Sequence, residues 1–223
     1  MNRLIFLFRI SLKSKYLGDF TPHKFMLNQP LVLASSSVYR RELLSRLRLP
    51  FTWVSPDIDE TPLSDESPLM SAQRLAQAKA RAVATAHPQA LVIGSDQVAD
   101  LHGKPLGKPG NHARAVRQLR ALSRQRVIFH TAVCLFDARH DKMQLRNTPS
   151  AVQFRELTEA QIERYLQLEQ PYDCAGSAKV ESLGIALAEK IESDDPTALI
   201  GLPLIALVSM LKHLHIEVIA DES

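Results

Sequence analysis

The feature that most constrains this chain is the alternation, from Leu31 onward, of short apolar runs with longer amphipathic stretches. Residues 31–34 and 90–94 form apolar runs whose length and flanking residues predict buried strands. Between them, the Ala-rich stretch 69–86 predicts a helix. This alternation is typical of an α/β domain. With 223 residues, 45% of them hydrophobic, the chain is long enough to build one cooperative core.

The remaining elements follow from capping residues and hydrophobic period. Ser35, Ser36 and Ser37 supply capping hydroxyls for a helix that ends near Leu47. The segment 173–184 is polar and contains glycines, so it is a candidate binding loop. We also predict strands at 51–54, 127–136 and 144–154, helices at 111–122 and 158–168, and a buried turn followed by a helix within 197–211.

The net charge of +3 is concentrated at the N-terminus. Residues 1–25 carry five Lys or Arg residues against Asp19 alone, so the rest of the chain is close to neutral. A neutral body gives no sign of a nucleic-acid partner. Because Met26 closely precedes the first strand, we expect residues 1–25 to be a basic leader, non-native or disordered, and residues 26–223 to form a single domain.

Neither export nor membrane insertion is expected. The apolar run at residues 4–8 is too short for a signal peptide, and the apolar stretch 197–211 is shorter than a spanning helix. Cys134 and Cys174 form no CxxC pair, which is typical of free thiols in a reducing compartment. We therefore expect a cytoplasmic protein without a membrane partner.

Lys79 and Asp96 stand out because they interrupt apolar patterns. Lys79 lies on the apolar stripe of the predicted helix 69–86, where its stem either extends to water or directs an ammonium into a cleft to hold an anion. Asp96 directly follows the predicted strand 90–94, at the strand end where open α/β sheets form ligand crevices. An aspartate there is either a turn former or part of a site, and the polar neighbours Ser95 and Gln97 favour a site.

Three further segments could serve an anion or a cation. Ser35, Ser37 and Arg40 place hydroxyls and a guanidinium at a helix start, which suits phosphate. The loop pair Asp59-Glu60 either reaches a divalent cation or forms a solvated turn. In GKPLGKP, one lysine of the two, Lys104 or Lys108, could bind phosphate while the other belongs to a hairpin.

Seven motifs in register resemble those of the Maf-like nucleotide pyrophosphatases. They are SSSVYRRELL, DETP, RLAQAKA, GSDQV, GKP, CAGS followed by Lys179 and Glu181, and IGLPL. GSDQV and AGSxKxE are similar to the 7-methyl-GTP pyrophosphatase subgroup rather than the dTTP/UTP subgroup. The resemblance implies an elongated mixed α/β sheet flanked by helices, with a deep central cleft between two lobes, so that residues 26–223 would form one Maf-like catalytic domain.

The resemblance also implies an activity and a set of site residues. The expected reaction is hydrolysis of a nucleoside triphosphate to the monophosphate and pyrophosphate, with Asp96 as the proton acceptor. Glu60 and Asp96 would together bind Mg²⁺ or Mn²⁺. Lys108 is preferred to Lys104, because its spacing from Asp96 matches the family. The expected phosphate-binding residues are Ser35, Ser37, Arg40, Lys79 and Lys108, and the expected substrate-specificity residues are Tyr39, Gln97 and Glu181.

Two alternatives remain open at this level. One is a dTTP/UTP-type pyrophosphatase of the same family. The other is a nucleotide-binding regulator of cell division that does not turn its ligand over. The expected partner in each case is a small nucleotide, and a homodimer is left open.

Overall fold

A computed structural model describes residues 28–219, which form one mixed seven-stranded sheet flanked by helices. The predicted basic leader at residues 1–25 lies outside the described residues. In space the strands run β2-β1-β3-β5-β6-β7, with β4 paired to β3. The strands are β1 (Leu31–Ala34), β2 (Thr52–Val54), β3 (Leu91–Leu101), β4 (Lys104–Leu106), β5 (Arg126–Asp137), β6 (Lys142–Phe154) and β7 (Ala188–Ser193).

The helices begin largely at the capping residues that the sequence indicates. Ser37 caps the first helix by accepting a hydrogen bond from the backbone N–H of Arg40, and Thr158 and Gln161 form a capping box on the fourth. Two short 3₁₀ helices are present: Ala175–Ser177 lies in the predicted binding-loop region, and Leu183–Leu187 begins within its last two residues. The α-helices are α1 (Val38–Ser45), α2 (Pro68–Ala86), α3 (His112–Leu122), α4 (Glu159–Glu169) and α5 (Leu204–Lys212).

Strand direction changes within the sheet. β1 runs parallel to both β2 and β3, whereas β5 pairs antiparallel with β3 and the sheet continues antiparallel to β7. The parallel pairing of β1 with β3 ends at Ala34 and Gly94, but β3 continues to Leu101 against β5. The prediction of a strand ending near Gly94 is therefore wrong, because β5 keeps pairing with the chain beyond that point.

Helices cover both faces of the sheet. On one face, α2 packs its alanines over Val32, Val92 and Cys134. On the other face, one apolar cluster joins α1 and α5 to the sheet and a second joins α3 and α4 to it. The two clusters on this face agree with the two predicted lobes, and the mixed α/β fold is confirmed. No helix within residues 28–219 is long and apolar enough to cross a membrane.

A polar band separates the two clusters. Ile93 and Val133 belong to the first cluster and Phe129 to the second. Between them along β3 and β5 lie buried Ser95 and Thr131. Their hydroxyls donate to backbone carbonyls of the turn that precedes α5, so this turn is fastened across the junction of the two clusters.

Candidate active site

The centre of the site is a buried lysine held between two carboxylates. Lys79 on α2 places its Nζ 2.6 Å from Oδ1 of Asp96 on β3 and 2.8 Å from Oε1 of Glu60 in the loop after β2. Lys79 and Asp96 are only 5% and 7% exposed, so the ammonium does not extend to bulk water. Of the two interpretations of Lys79, a stem that extends to water does not fit this burial, and its role in holding an anion stays a prediction.

Gly94 explains how α2 comes so close to β3. A Cβ atom at this position would lie 2.1 Å from the backbone oxygen of Ala76 and 2.8 Å from the backbone nitrogen of Ala80. No side chain fits in that space, so glycine sets the distance between helix and strand. Lys79 lies between these two alanines in sequence and contacts Asp96, two residues after Gly94.

The expected position of Asp96 needs a correction. We predicted that Asp96 lies where its strand leaves the sheet, but it lies within β3, opposite Ala132 of β5. The neighbouring strand β1 ends first, at Ala34, so Asp96 still lies beyond the carboxyl end of the parallel pair. A site at this edge therefore forms because one strand stops and its neighbour continues.

Arg40 on α1 faces the same carboxylates. Burial lowers the pKa of its guanidinium, while the negative charges of Asp96 and Glu60 oppose that shift. Arginine remains charged under such conditions. Its Nε donates a hydrogen bond to the backbone oxygen of Gly201 at 2.8 Å, which fixes the side chain against the turn that precedes α5.

Ser35 and Ser37 shape the loop between β1 and α1. The Ser35 hydroxyl oxygen accepts the backbone N–H of Ser37 at 3.1 Å, and the Ser37 hydroxyl oxygen accepts that of Arg40 at 3.3 Å. Each oxygen acts as an acceptor in these bonds, so each hydroxyl proton can be donated to an anion. Their assignment as phosphate ligands stays a prediction.

The two lysines of GKPLGKP have different surroundings. Lys104 belongs to β4, opposite Leu101 in a hairpin with β3. Lys108 lies in the following loop, and its charge acts on Glu60. Partial burial alone would raise the pKa of Glu60, but hydrogen bonding and charge from Lys79, together with the charges of Lys108 and Arg40, lower it overall. Lys108 therefore belongs to the electrostatic environment of the site.

The donor set at the centre fits a magnesium ion that arrives with phosphate. Within residues 28–219 no group of three or more His, Cys, Asp or Glu side chains is arranged to hold a metal. Glu60 and Asp96, however, both approach one point, which Lys79 Nζ occupies. Mg²⁺ is usually held by one or two carboxylates together with substrate phosphates and water, so two carboxylates suffice.

Two of the three predicted specificity residues line one cavity. Tyr39 and Glu181 both border a space of about 290 Å³, which we call the base pocket. The other residues around it are Glu42, Leu43, Arg46, Lys179, Ser182 and Ile200. Partial burial is the main cause that raises the pKa of Glu181. An aromatic ring and a carboxylate in one pocket can bind a flat, cationic ring.

Gln97 lies outside the base pocket. Its amide nitrogen lies 3.0 Å from the backbone oxygens of Ala198 and Leu199 and from the hydroxyl of Thr131. Leu199 lines a second cavity that shares Glu181 and Ile200 with the base pocket. Gln97 is thus connected to the pocket wall through the turn before α5.

Comparison with known proteins identifies the family. Residues 30–214 match the family model described as "Maf-like protein". The chain belongs to this family. It is 58% identical over 183 residues to a Cupriavidus metallidurans protein, covering 82% of this chain and 92% of the relative. For proteins of Ralstonia nicotianae and Nitrosospira multiformis the values are 58% over 186 residues (83% and 96%) and 57% over 191 residues (86% and 96%). Each of the three is named "7-methyl-GTP pyrophosphatase".

In this Maf-like chain, the motif IGLPL has supporting residues that our sequence reasoning missed. Asp195 is 2% exposed, and its carboxylate accepts hydrogen bonds from the backbone and hydroxyl of Thr197 and from the backbone N–H of Ile205. This network holds the turn whose Gly201 oxygen receives both Arg40 and Ser95. The sequence signal was available, since Asp195 and Thr197 are polar residues directly before an apolar stretch.

Proposed function

We propose that this chain is a 7-methyl-GTP pyrophosphatase, which hydrolyses 7-methyl-GTP to 7-methyl-GMP and pyrophosphate. The observation that carries the proposal is the buried Lys79–Asp96 pair with Glu60 beside it. It lies in a chain 57–58% identical to relatives that bear this name, over 92–96% of their length. Such a cluster provides a carboxylate base and positive charge, which hydrolysis of a phosphoric anhydride requires.

Asp96 is the residue that we assign as the general base. A water molecule attacks the α-phosphorus and transfers its proton to the Asp96 carboxylate, while the bond to the bridging oxygen of the β-phosphate breaks. Oδ1 already receives the ammonium of Lys79, so Oδ2 is the oxygen assigned to the water. Holding the base in one orientation is worth a large part of the rate enhancement in such reactions.

Arg40, Lys79 and Lys108 are assigned to the phosphates. Negative charge builds up on the leaving pyrophosphate, and cations fixed in advance stabilise it more than mobile water does. Lys79 is buried and Arg40 is anchored on Gly201, so both are fixed before substrate arrives. Lys108 is exposed and is assigned to the outer end of the triphosphate.

Glu60 and Asp96 would hold the divalent cation, Mg²⁺ or Mn²⁺, together with phosphate oxygens. When bound, that ion supplies charge neutralisation across the phosphates. In its absence the ammonium of Lys79 lies between the same two carboxylates and offsets part of their negative charge.

The base pocket is assigned to the purine ring. 7-Methylguanine carries a positive charge, so stacking on Tyr39 would favour it over guanine by about 0.5–2 kcal/mol. Glu181 can add electrostatic attraction and accept hydrogen bonds from the edge of the ring. We expect the protein to act on nucleotides in the cytoplasm, since its free thiols Cys134 and Cys174 suit a reducing compartment.

The test is a pyrophosphate-release panel with 7-methyl-GTP, GTP, dTTP and UTP, each with Mg²⁺, with Mn²⁺ and with chelator. We expect the highest kcat/KM for 7-methyl-GTP and loss of activity with chelator. A higher kcat/KM for dTTP or UTP would move the chain to the other subgroup. Tight binding of 7-methyl-GTP without product over long incubation would instead indicate a regulator.

A further inference from the structure

A second cation, Lys179, faces the base pocket. Its Nζ lies 5.4 Å from the centroid of the Tyr39 ring, and the residue lines the same cavity as Glu181. An ammonium at this position whose charge is not balanced would repel a cationic base in the same pocket. A pocket that selects 7-methylguanine therefore needs the charge of Lys179 to be neutralised.

Glu169, the last residue of α4, provides that neutralisation. Its Oε1 lies 2.8 Å from Lys179 Nζ, and its side chain is only 10% exposed. Its Oε2 accepts hydrogen bonds from the Ser182 hydroxyl at 2.7 Å and from the backbone N–H of Leu183 at 3.1 Å. Burial would raise the pKa of Glu169, but these donors, Lys179 first, lower it overall, so the carboxylate is charged.

The remaining charges around the pocket leave the negative charge of Glu181 unbalanced. Glu42 and Arg46 on the side of α1 carry one negative and one positive charge. With Lys179 paired to Glu169, the uncompensated charge is the carboxylate of Glu181. If Glu169 lost its charge, Lys179 would offset Glu181 instead.

We propose that Glu169 is a positioning residue that sets base specificity: by neutralising Lys179 it leaves the base pocket net negative and so favours a cationic purine over a neutral one. This inference rests on the proposed function of the same site. The two carboxylates thus have different roles: Glu181 lines the pocket and faces the base, whereas Glu169 does not line the pocket and acts through Lys179.

The decisive variant is Glu169→Gln, because glutamine keeps an oxygen that can accept from Ser182 and Leu183 but loses the charge. We measure kcat/KM for 7-methyl-GTP and for GTP. In water-like surroundings, the interaction between two unit charges a few ångström apart changes an equilibrium constant about fivefold. We therefore expect kcat/KM for 7-methyl-GTP, divided by kcat/KM for GTP, to fall about fivefold. Lys179→Met in the Glu169→Gln background should restore the ratio, since it removes the released cation.

Lys179→Met alone provides a test that does not depend on the folding of the Glu169 variant. Charge neutralisation predicts an equal or higher ratio in this variant, whereas a purely structural ion pair predicts the same fall as in Glu169→Gln. Equal losses of kcat/KM for both substrates in Glu169→Gln would leave the ratio unchanged and overturn the proposal. A ratio that Lys179→Met does not restore in the Glu169→Gln background would also overturn it.

A binding experiment separates this inference from the proposed function. Calorimetry with 7-methyl-GMP and GMP measures base preference without turnover. If the wild-type protein released no pyrophosphate, the proposed function would fail. The dissociation constant of GMP divided by that of 7-methyl-GMP would still be expected to fall about fivefold in Glu169→Gln. An unchanged ratio of dissociation constants would refute the role of Glu169 alone.

Discussion

Replacing Gly94 by alanine should disrupt both stability and catalysis, because this glycine sets the distance between α2 and β3. The added Cβ would lie 2.1 Å from the Ala76 oxygen, where real Cβ contacts essentially never fall below 3.0 Å. The helix must therefore retreat by about 1 Å. Overpacking of this kind costs about 3 kcal/mol, which lowers the melting temperature by about 6–12 °C in a chain of this length.

Gly107→Ala is the matched control. A Cβ there meets nothing within 4 Å, and the position does not require a positive φ. Its stability should stay within about 1 kcal/mol of wild type. Urea unfolding followed by circular dichroism measures the stability of both variants, and pyrophosphate release should also fall in Gly94→Ala, as α2 carries Lys79 away from Asp96. Equal midpoints for the two variants would refute the role assigned to Gly94.

Three further predictions concern charge. Lys79→Met should raise the pKa of Glu60, because it removes the hydrogen bond and charge that lower it, and carboxyl NMR titration measures the change; an unmoved pKa would contradict the contact. Lys108→Ala should raise KM for the triphosphate about tenfold, whereas Lys104→Ala in the hairpin should not; equal effects would remove the distinction between the two lysines. Despite its burial, Asp137 has a lowered pKa because Gln29 and His140 hydrogen-bond to its carboxylate. The ionised carboxylate therefore stabilises the fold above about pH 4, and this contribution is lost as the pH falls through the folded pKa. Asp137→Asn should therefore flatten the decline of urea stability below pH 4, and a decline as steep as in wild type would contradict this.

Anomalies within regular patterns were the most informative part of the sequence. Lys79 interrupts the apolar stripe of a helix, and the structure shows why the helix tolerates it: two carboxylates receive the ammonium. The apolar runs at β1 and the core of β3 were also readable, since burial on both faces leaves continuous hydrophobic segments. These features are local, and local physics is sufficient to predict them.

Features that depend on distant partners could not be read in the same way. β3 continues past Gly94 because β5 pairs with it, and β7, which the sequence analysis missed, pairs with β6. Glu169 is one acidic residue among several on an amphipathic helix, and only the folded chain brings it to Lys179. Gln97 was predicted as a substrate-specificity residue, and its hydrogen bonds to the turn before α5 depend on that distant segment.

The most direct measurement of the central claim is pyrophosphate release from 7-methyl-GTP by Asp96→Asn and Asp100→Asn. Both aspartates lie on β3 and point to the same face, but Asp100 bonds to Gly103 and His130 rather than to Lys79. With Asp96 as general base, kcat should fall by about 10²–10⁴ in Asp96→Asn. The Asp100 variant should retain wild-type turnover. Full activity of Asp96→Asn, in a variant that melts as wild type does, would contradict the assignment.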